Sequence, residues 1–378
     1  MIKSLNISGY RGLKEFSMDN LGKINLIVGN NNSGKTTLLE AIYVLASAGS
    51  PSALWKVFSQ RGEQMPPEDN IFSPARPPQL EMDVKNFFNG RNINLGTLAK
   101  ISSDNSEEHF IRLEIAELNL QEYKSMLYLF QNHTETEKDS PYIFPKYNIK
   151  ISGKPDPLIK RIPLSNRGGI LQNTYLNLAG SPQQIGEMIS YPVYIGTDSF
   201  SIQELTMSFS KIALTPEEDL VYTALRFLEP NIERIAPTNM QYIYYPLPTR
   251  GGFKIKIKNL ESPIPIGSMG DGIWRLLSLA IALSRSKDNI LLIDEIDTGL
   301  HYSVMKKMWD FLYKSAMELN VQVFATTHSY DCVNSLASIC QNTGDQITIQ
   351  RVDAGNTKAV PYSEAEIREA VEHDIEMR

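Results

Sequence analysis

Two uncharged, largely apolar runs stand out in the pattern of hydrophobic and polar positions along this chain. The run Ile24–Val28 leads directly into a glycine-rich loop, and residues 289–293 form a second run that ends in two carboxylates. Uncharged runs of this length are typical of strands buried on both faces. After the glycine-rich loop, apolar side chains recur at helical spacing, at Leu38, Ala41, Ile42 and Leu45. The pattern therefore predicts a strand, a loop and a helix in succession, as in an α/β fold.

The middle of the chain differs in composition and in the length of its apolar runs. Six prolines fall within residues 50–91, which predicts an irregular excursion without a long regular helix. Short apolar runs at 80–88, 109–118 and 146–152 predict an antiparallel β region over about 92–195. The sequence Thr215-Pro216-Glu217-Glu218 is typical of a helix start, and it predicts a helical segment within about 200–236.

The pattern then returns to longer elements. It predicts strands at 240–247, 253–258 and 346–352 and a helix over 273–283. A closing helix is predicted at the capping box Ser363-Glu364-Ala365-Glu366. We therefore expect a core domain assembled from residues 1–50 and 240–378, interrupted by an inserted lobe over residues 51–239.

Composition narrows the class of protein. The 378 residues allow two or three structural units, and 42% hydrophobic with 21% charged residues is ordinary globular usage. A formal charge of −6 gives no overall attraction to nucleic acid or an anionic membrane, although a local basic groove would still allow DNA as a partner. No apolar run approaches about 18 residues, and the N-terminus lacks the apolar region of a signal peptide. We expect a cytoplasmic protein without a membrane partner.

The cysteines and histidines indicate no metal cluster. Cys332 and Cys340 lack the paired spacing of a zinc site, and their separation predicts two small buried side chains on one helix face. The five histidines are mostly scattered along the chain.

The glycine-rich loop has the complete P-loop pattern, Gly29-x4-Gly34-Lys35-Thr36. Its backbone N–H groups and the following helix N-terminus would surround phosphates. Lys35 would reach the β and γ phosphates of ATP, and Thr36 would bind Mg²⁺. The predicted nucleotide-binding positions are Gly29, Asn30, Asn31, Asn32, Ser33, Gly34, Lys35, Thr36 and Thr37.

The second apolar run ends in Asp294 and Glu295. The carboxyl end of a buried parallel strand is where α/β sheets bind their ligands. Asp294 would therefore hold Mg²⁺, directly or through water, and Glu295 would orient or deprotonate the water that attacks the γ-phosphate. The alternative is an acidic helix cap that follows a core strand.

Spacing identifies the class of P-loop protein that this chain resembles. Lys35 and Asp294 are 294 − 35 = 259 residues apart. Such a long insertion between the two halves of one nucleotide site is similar to ABC-type ATPase heads, including those of SMC proteins. That class also has a signature loop before the acidic strand, and residues 267–272 stand in that place. Ser268 and Gly270 match the LSGGQ signature, whereas Met269 and Asp271 depart from it. An ordinary glycine turn is the alternative.

Further residues follow from the same resemblance. Asp297 resembles the D-loop residue that crosses a dimer interface, and His328 resembles the switch histidine that senses the γ-phosphate. Arg11 resembles an arginine that approaches nucleotide phosphate, with a solvent-exposed side chain as the alternative. His301 is open between packing and contact with a neighbouring subunit. The Q-loop glutamine is open among Gln60, Gln64 and Gln79.

Taken together, the motifs resemble those of the OLD-type AAA ATPases of bacteria. They include Gly-Asn-Asn-Asn-Ser-Gly-Lys-Thr, Leu-Leu-Ile-Asp-Glu-Ile-Asp-Thr-Gly-Leu-His and Ala-Thr-Thr-His-Ser. The resemblance implies an α/β ABC-type P-loop ATPase head, with the antiparallel β region and a helical lobe inserted between the two halves of the nucleotide site. It also implies an ATP-hydrolysing switch that dimerises head to tail around two ATPs and is at least a homodimer.

The family often carries a C-terminal Toprim nuclease. Here 378 − 328 = 50 residues follow His328, so we expect a separately encoded effector instead, such as a Toprim-like or other nuclease in anti-phage defence. A DNA-binding ATPase of repair or recombination that resembles RecF is the main alternative. The ATPase subunit of a membrane transporter is a more distant one.

Overall fold

The chain's structure is a computed structural model that describes residues 1–66, 80–104, 109–119, 121, 147–154, 160–172, 192–238, 252–258, 260–340 and 344–377. The chain divides into two compact units. The first unit comprises Met1, Met18–Leu39 and Pro192–Arg378, and the second comprises Ile2–Ser17 and Glu40–Tyr191. The strand predicted at 240–247 and the candidate glutamine Gln79 lie outside the described residues.

The strands are β1 (Leu5–Tyr10), β2 (Leu13–Met18), β3 (Ile24–Val28), β4 (Glu81–Asp83), β5 (Leu98–Ser103), β6 (Phe110–Glu117), β7 (Tyr147–Lys154), β8 (Lys160–Pro163), β9 (Gly169–Leu171), β10 (Val193–Ile195), β11 (Ile232–Pro237), β12 (Phe253–Ile257), β13 (Ile264–Pro265), β14 (Ile290–Ile293), β15 (Gln322–Thr326), β16 (Ile347–Arg351) and β17 (Val360–Tyr362). The helices are α1 (Lys35–Ala46), α2 (Pro51–Gln60), α3 (Ile202–Ile212), α4 (Glu218–Leu225), α5 (Asp271–Arg285), α6 (Tyr302–Glu318), α7 (Tyr330–Ala337) and α8 (Glu364–Glu372).

The first unit is built on a sheet that, within the described residues, has the strand order β10-β14-β15-β3-β16-β17. Neighbours from β10 to β16 are parallel, and β17 is antiparallel to β16. Strands β3 and β15 are buried along their whole length, because their side chains are apolar on both faces or paired with neighbouring backbone. The parallel register brings the carboxyl ends of β3, β14 and β15 to one edge of this sheet.

Helices α3, α4 and α5 share the hydrophobic core of this unit. Phe209 of α3 and Leu225 of α4 belong to the same buried cluster as Leu277 of α5. The predicted helical segment at about 200–236 contains the helices α3 and α4, but its last residues form strand β11, and the segment belongs to the parallel-sheet unit and not to an inserted lobe. The reason is that the apolar faces of α3 and α4 are buried against α5, a contact that local spacing cannot specify.

The second unit contains an antiparallel sheet with the order β2-β1-β5-β6-β7-β8 in the described part of the chain. Its buried face is lined by alternate residues such as Ile101, Leu113 and Ile149. The antiparallel β region is thus present. Strands β1 and β2 join it, although the sequence placed them with the P-loop in a core over residues 1–50. The cause is long-range pairing, since Ile7 of β1 lies opposite Ile101 of β5.

The proline-rich segment begins with a regular helix, which corrects the prediction of irregular structure there. Pro51 stands at the first position of α2, where its missing N–H costs nothing, and the Ser50 side chain accepts a hydrogen bond from the Ala53 N–H. At the other end of the chain, the predicted capping box at Ser363 is confirmed as the start of α8.

Both cysteines are buried, as predicted, and neither forms a disulfide. The prediction that they share one helix face is wrong, because α7 ends at Ala337 and Cys340 lies in the turn that follows. Burial raises the pKa of Cys340 to about 12, which keeps this thiol protonated at neutral pH. Among the described residues, no helix is both long and apolar enough to cross a membrane.

Candidate functional site

The glycine-rich loop closes tightly between β3 and α1. Gly29 has a φ of 146°, and a Cβ placed there would come within 2.1 Å of the carbonyl oxygen of Val352, so no larger residue fits. Gly34 also has a left-handed φ of 99°. Asn32 adopts φ 61°, a conformation that asparagine tolerates better than most residues. The loop therefore has the curvature with which P-loops surround phosphate.

Lys35 turns back over this loop. Its Nζ donates hydrogen bonds to the carbonyl oxygens of Gly29 and Asn30, both at 2.8 Å. Partial burial lowers the pKa of Lys35, and the carboxylates of Asp294 and Glu295 oppose that shift. Ser33 Oγ is buried and has no hydrogen-bond partner among the described residues. A cation and an unsatisfied hydroxyl at one loop are suited to an anionic ligand.

Asp294 links the second apolar strand to the P-loop helix. Thr36 Oγ1 donates a hydrogen bond to Asp294 Oδ2 at 2.9 Å, across 258 residues of sequence. Thr326 Oγ1 donates to Asp294 Oδ1 at 2.5 Å from the adjacent strand β15. The two residues that the sequence assigned to Mg²⁺, Thr36 and Asp294, are therefore in direct contact.

Glu295 follows Asp294 in a strained conformation. Its φ of 45° lies in the left-handed region, which costs a non-glycine residue roughly 1–3 kcal/mol. The Glu295 N–H donates to Thr326 Oγ1 at 2.8 Å, and its side chain is 39% exposed. His328 Nδ1 lies 3.7 Å from Glu295 Oε1, too far for a hydrogen bond but close enough for both side chains to face one reacting group. The structure therefore brings Lys35, Asp294, Glu295 and His328 to one edge of the sheet.

The two threonines at the end of β15 were not assigned a role from the sequence. Besides the contacts of Thr326, Thr327 Oγ1 donates to Asp297 Oδ1 at 2.5 Å. These two hydroxyls thus hold Asp294, Asp297 and the Glu295 backbone in place. The available signal was a buried apolar run that ends in two polar, β-branched residues beside the carboxylate strand.

Arg275 was also missed as a site residue. It lies in the first part of α5, only 2% exposed, and its Nη2 donates to the carbonyl oxygens of Asp294 and Glu295, both at 2.7 Å. Its Nη1 donates to Gly196 O at 2.9 Å and Ser199 Oγ at 3.1 Å. Burial lowers the pKa of Arg275 to about 10, so the guanidinium stays charged at neutral pH.

The signature loop, residues 267–272, runs into the first turn of α5 and is exposed at Ser268 and Gly270. Gly270 has φ 83°, and nothing lies within 4 Å of a Cβ placed there. Gly272 lies against Gly299, because a Cβ on Gly272 would be 3.2 Å from the Gly299 carbonyl oxygen. His301 caps α6, where its Nδ1 accepts the N–H of Ser303 at 3.4 Å. This contact supports a structural role for His301.

Arg11 lies in the second unit, where its side chain is buried in an ion-pair cluster. Its Nε is 2.9 Å from Glu40 Oε2, and its Nη1 and Nη2 donate to the two carboxylate oxygens of Glu63 at 2.5 and 3.0 Å. Arg61 Nε also donates to Glu40, at 2.6 Å. Burial raises the pKa of Glu40, and the guanidinium groups of Arg11 and Arg61 oppose that shift. These contacts favour neither phosphate binding nor a solvent-exposed side chain; they give Arg11 a structural role in this conformation.

Replacing Arg11 with methionine is expected to destabilise the fold. The change leaves Glu40 and part of Glu63 buried without their cation, which typically costs about 3–5 kcal/mol of unfolding free energy. Urea unfolding of Arg11→Met measures this loss. The control Arg112→Met removes a half-exposed ion pair of the same unit and should cost less than about 1 kcal/mol. A stable Arg11→Met protein with much weaker ATP binding would instead support the predicted phosphate contact.

The donor set fits Mg²⁺. This ion prefers oxygen ligands and usually takes one or two carboxylates together with substrate phosphates and water. Thr36 Oγ1 and Asp294 Oδ2 supply such oxygens, already 2.9 Å apart. In the described residues there is no group of three or more His, Cys, Asp or Glu side chains that could hold a metal alone. Mg²⁺ at this site would therefore depend on nucleotide for its remaining ligands.

A P-loop and a paired carboxylate at the edge of one parallel sheet define a P-loop ATPase. The chain belongs to the AAA ATPase domain family (AAA_15), which matches residues 1–164 and 204–333. An ATP/GTP phosphatase of Helicobacter pylori is 25% identical over 365 residues, which cover 90% of this chain and 88% of the relative. The protein is an ATP hydrolase, as predicted.

Other relatives match in different ways. RecF of Idiomarina loihiensis, a DNA replication and repair protein, is 52% identical over 44 residues, 12% of either chain. A solved SMC head bound to the C-winged helix domain of ScpA covers 98% of this chain and 99% of its own, with a TM-score of 0.46 and 16% identity. The SMC head domain from Thermotoga maritima gives 0.40 and 11%, with 96% and 98% covered. Membership of the OLD-type branch stays a prediction.

Proposed function

We propose that the protein is an ATP-driven switch in which two copies join head to tail around two ATPs. The observation that carries this proposal is the exposure of the signature loop. Ser268 and Gly270 face solvent at the start of α5, a helix of 15 residues whose N-terminus favours anions. Each chain supplies one P-loop and one such loop, so a head-to-tail pair would complete two equivalent sites.

In the proposed reaction, the P-loop amides and Lys35 bind the β and γ phosphates of MgATP. When Mg²⁺ is bound, it neutralises charge that develops on the transferred phosphoryl group. Glu295 orients the attacking water and accepts its proton, and His328 faces the same γ-phosphate. Asp297, held by Thr327, lies beside the partner's site in such a pair. Closure of the dimer would accompany ATP binding, and opening would follow hydrolysis.

A subunit-mixing experiment tests the shared site. Lys35→Ala disables the P-loop, and Ser268→Arg disables the signature loop, so each variant alone should be inactive. Mixed dimers retain one site made of an intact P-loop and an intact signature loop. A 1:1 mixture should therefore recover about a quarter of the wild-type rate if dimers form at random, and up to about half if only mixed dimers form, because one site in two of each mixed dimer is competent.

The control is Ser262→Arg, another exposed serine six positions before Ser268, which should leave the wild-type rate unchanged. Differently tagged subunits show by co-purification with MgATP that mixed dimers have formed. Mixed dimers without recovered hydrolysis, or full activity from protein that stays monomeric with ATP, would contradict the shared site.

The resemblance of the motifs to OLD-type ATPases supports a further part of this proposal. The switch would control a separately encoded effector, such as a nuclease, in bacterial anti-phage defence. Phage plating on cells that carry the native gene neighbourhood compares the wild type with Glu295→Gln. Equal plating with and without the wild-type gene, over a range of phages, would speak against defence.

The short matches to RecF favour a second candidate, an ATPase that binds DNA in repair or recombination. Phosphate contacts give binding that weakens steeply with salt. An ATP-dependent affinity for duplex DNA with a steep salt dependence would favour this candidate over the effector switch.

A further inference from the structure

Arg275 is a buried cation without a carboxylate partner in its hydrogen bonds. Its four hydrogen bonds go to three backbone carbonyl oxygens and the Ser199 hydroxyl. Within the described residues, its Nε has no partner. Burying a charge in this way is costly, and an apolar side chain in its place would leave these four acceptors without their donor. The reason for a buried arginine here therefore lies in the groups that it holds.

The hydrogen bonds of Arg275 lie where they restrain the backbone at Glu295. Nη2 donates hydrogen bonds to the carbonyl oxygens of two consecutive residues, Asp294 and Glu295, at 2.7 Å each. The Glu295 backbone is in the left-handed region, with φ 45°, so it needs restraint to stay there. Thr326 Oγ1 restrains the Glu295 N–H from one side, and Arg275 restrains its carbonyl oxygen from the other.

Arg275 also belongs to the helix that follows the signature loop. It stands four residues after Asp271, the first residue of α5, and that start of the helix lies beside Gly299. Nη1 of Arg275 donates hydrogen bonds to Gly196 O and Ser199 Oγ, which lie in the loop after β10. One planar guanidinium thus joins α5, the loop after β10 and the peptide that carries Glu295. Among the side chains, only the guanidinium of arginine presents several N–H donors in one rigid plane.

We propose that Arg275 is a positioning residue that sets the direction of the Glu295 carboxylate from the helix of the signature loop. It does not touch the nucleotide; it acts through the Glu295 backbone. The proposal rests on the role given to Glu295 under the proposed function. A shift of α5 would move the Arg275 guanidinium. The Glu295 carboxylate, which orients the attacking water, would then move as well.

Arg275→Lys tests this role, because lysine keeps the charge but cannot hold four acceptors in one plane. We expect the single-turnover rate of ATP hydrolysis to fall by about 10- to 100-fold, since misplacement of a catalytic group by about 1 Å has effects of this size. Affinity for a fluorescent ATP analogue should change by less than about threefold. The control Arg285→Lys changes an arginine at the last turn of the same helix, which bonds to Ser208, and should leave the rate near that of the wild type.

A double-mutant cycle separates positioning from a general structural role. If Arg275 acts through the Glu295 carboxylate, Arg275→Lys should change the residual rate of Glu295→Gln by less than about twofold. An equally large loss in both backgrounds would overturn the proposal, and so would a normal rate for Arg275→Lys. If Glu295→Gln itself hydrolysed ATP normally, the proposed role of Glu295 would be wrong instead, whatever Arg275→Lys showed.

Ser199→Gly provides a second test should Arg275→Lys fold poorly. It removes one acceptor of the guanidinium, and glycine suits the φ of 62° at this position. A several-fold lower rate with unchanged affinity for the ATP analogue would support positioning. An unchanged rate would overturn it.

Discussion

Replacing Glu295 with glutamine is expected to lower the rate of ATP hydrolysis by about 10²–10⁴-fold while leaving ATP binding intact. Glutamine keeps the size of the side chain and the backbone hydrogen bonds to Thr326 and Arg275, but it cannot accept a proton from water. The Mg²⁺ ligands Thr36 and Asp294 are unchanged. Phosphate release in single turnover measures the chemical step, and a fluorescent ATP analogue measures binding.

The same variant is expected to accumulate in the ATP-bound state. Light scattering with MgATP should therefore show a longer-lived dimer for Glu295→Gln than for the wild type. The control Glu318→Gln changes an exposed glutamate at the end of α6 and should behave as the wild type in both measurements. Comparable hydrolysis by Glu295→Gln and wild type would show that another group orients the water.

Replacing Lys35 with alanine is expected to abolish detectable ATP binding at ordinary concentrations. A charged hydrogen bond contributes about 1.5–3 kcal/mol, so the loss of contacts to two phosphates corresponds to roughly a hundredfold or more in Kd. Without nucleotide, Lys35 is bonded only to the Gly29 and Asn30 carbonyl oxygens in the hydrogen bonds described, and its side chain is partly exposed. The fold should therefore survive, with a Tm within a few degrees of the wild type.

Calorimetric titration with MgATP measures the loss of binding, and thermal unfolding without nucleotide checks the fold. Lys306→Ala, an exposed lysine on α6, is the matched control and should bind ATP normally. Tight ATP binding by Lys35→Ala would place the phosphates elsewhere. The pair of variants also separates two roles, because Lys35→Ala should lose the ATP-dependent dimer that Glu295→Gln should prolong.

The parts of the site that could be predicted are those whose chemistry is contiguous in sequence. The P-loop is a strand, six loop residues and a helix start, and glycines at Gly29 and Gly34 are required by local backbone geometry. Asp294 and Glu295 follow an apolar run that has the composition of a buried strand. Both patterns arise from short-range sterics and burial, so the sequence alone was sufficient for them.

The parts that could not be predicted depend on partners far along the chain. Arg275 bonds to carbonyl oxygens about 20 residues away, and Thr36 meets Asp294 across 258 residues. Arg11 was expected near phosphate, yet its guanidinium bonds to Glu63, 52 residues away. The Pro51 helix was missed for a different reason, because proline breaks a helix interior but suits its first turn.

The sequence by itself determined that this protein has a P-loop, a pair of adjacent carboxylates after a buried strand and an α/β core, because these follow from adjacent residues and from the period of their hydrophobicity. The tertiary structure decided which groups serve that site. It placed Thr326, Thr327 and Arg275 around Asp294 and Glu295, and it gave Arg11 to a buried ion-pair cluster. Hydrogen bonds depend on the distance and direction between two groups in space. The residues next to a polar side chain in the sequence do not specify which distant atoms it will contact.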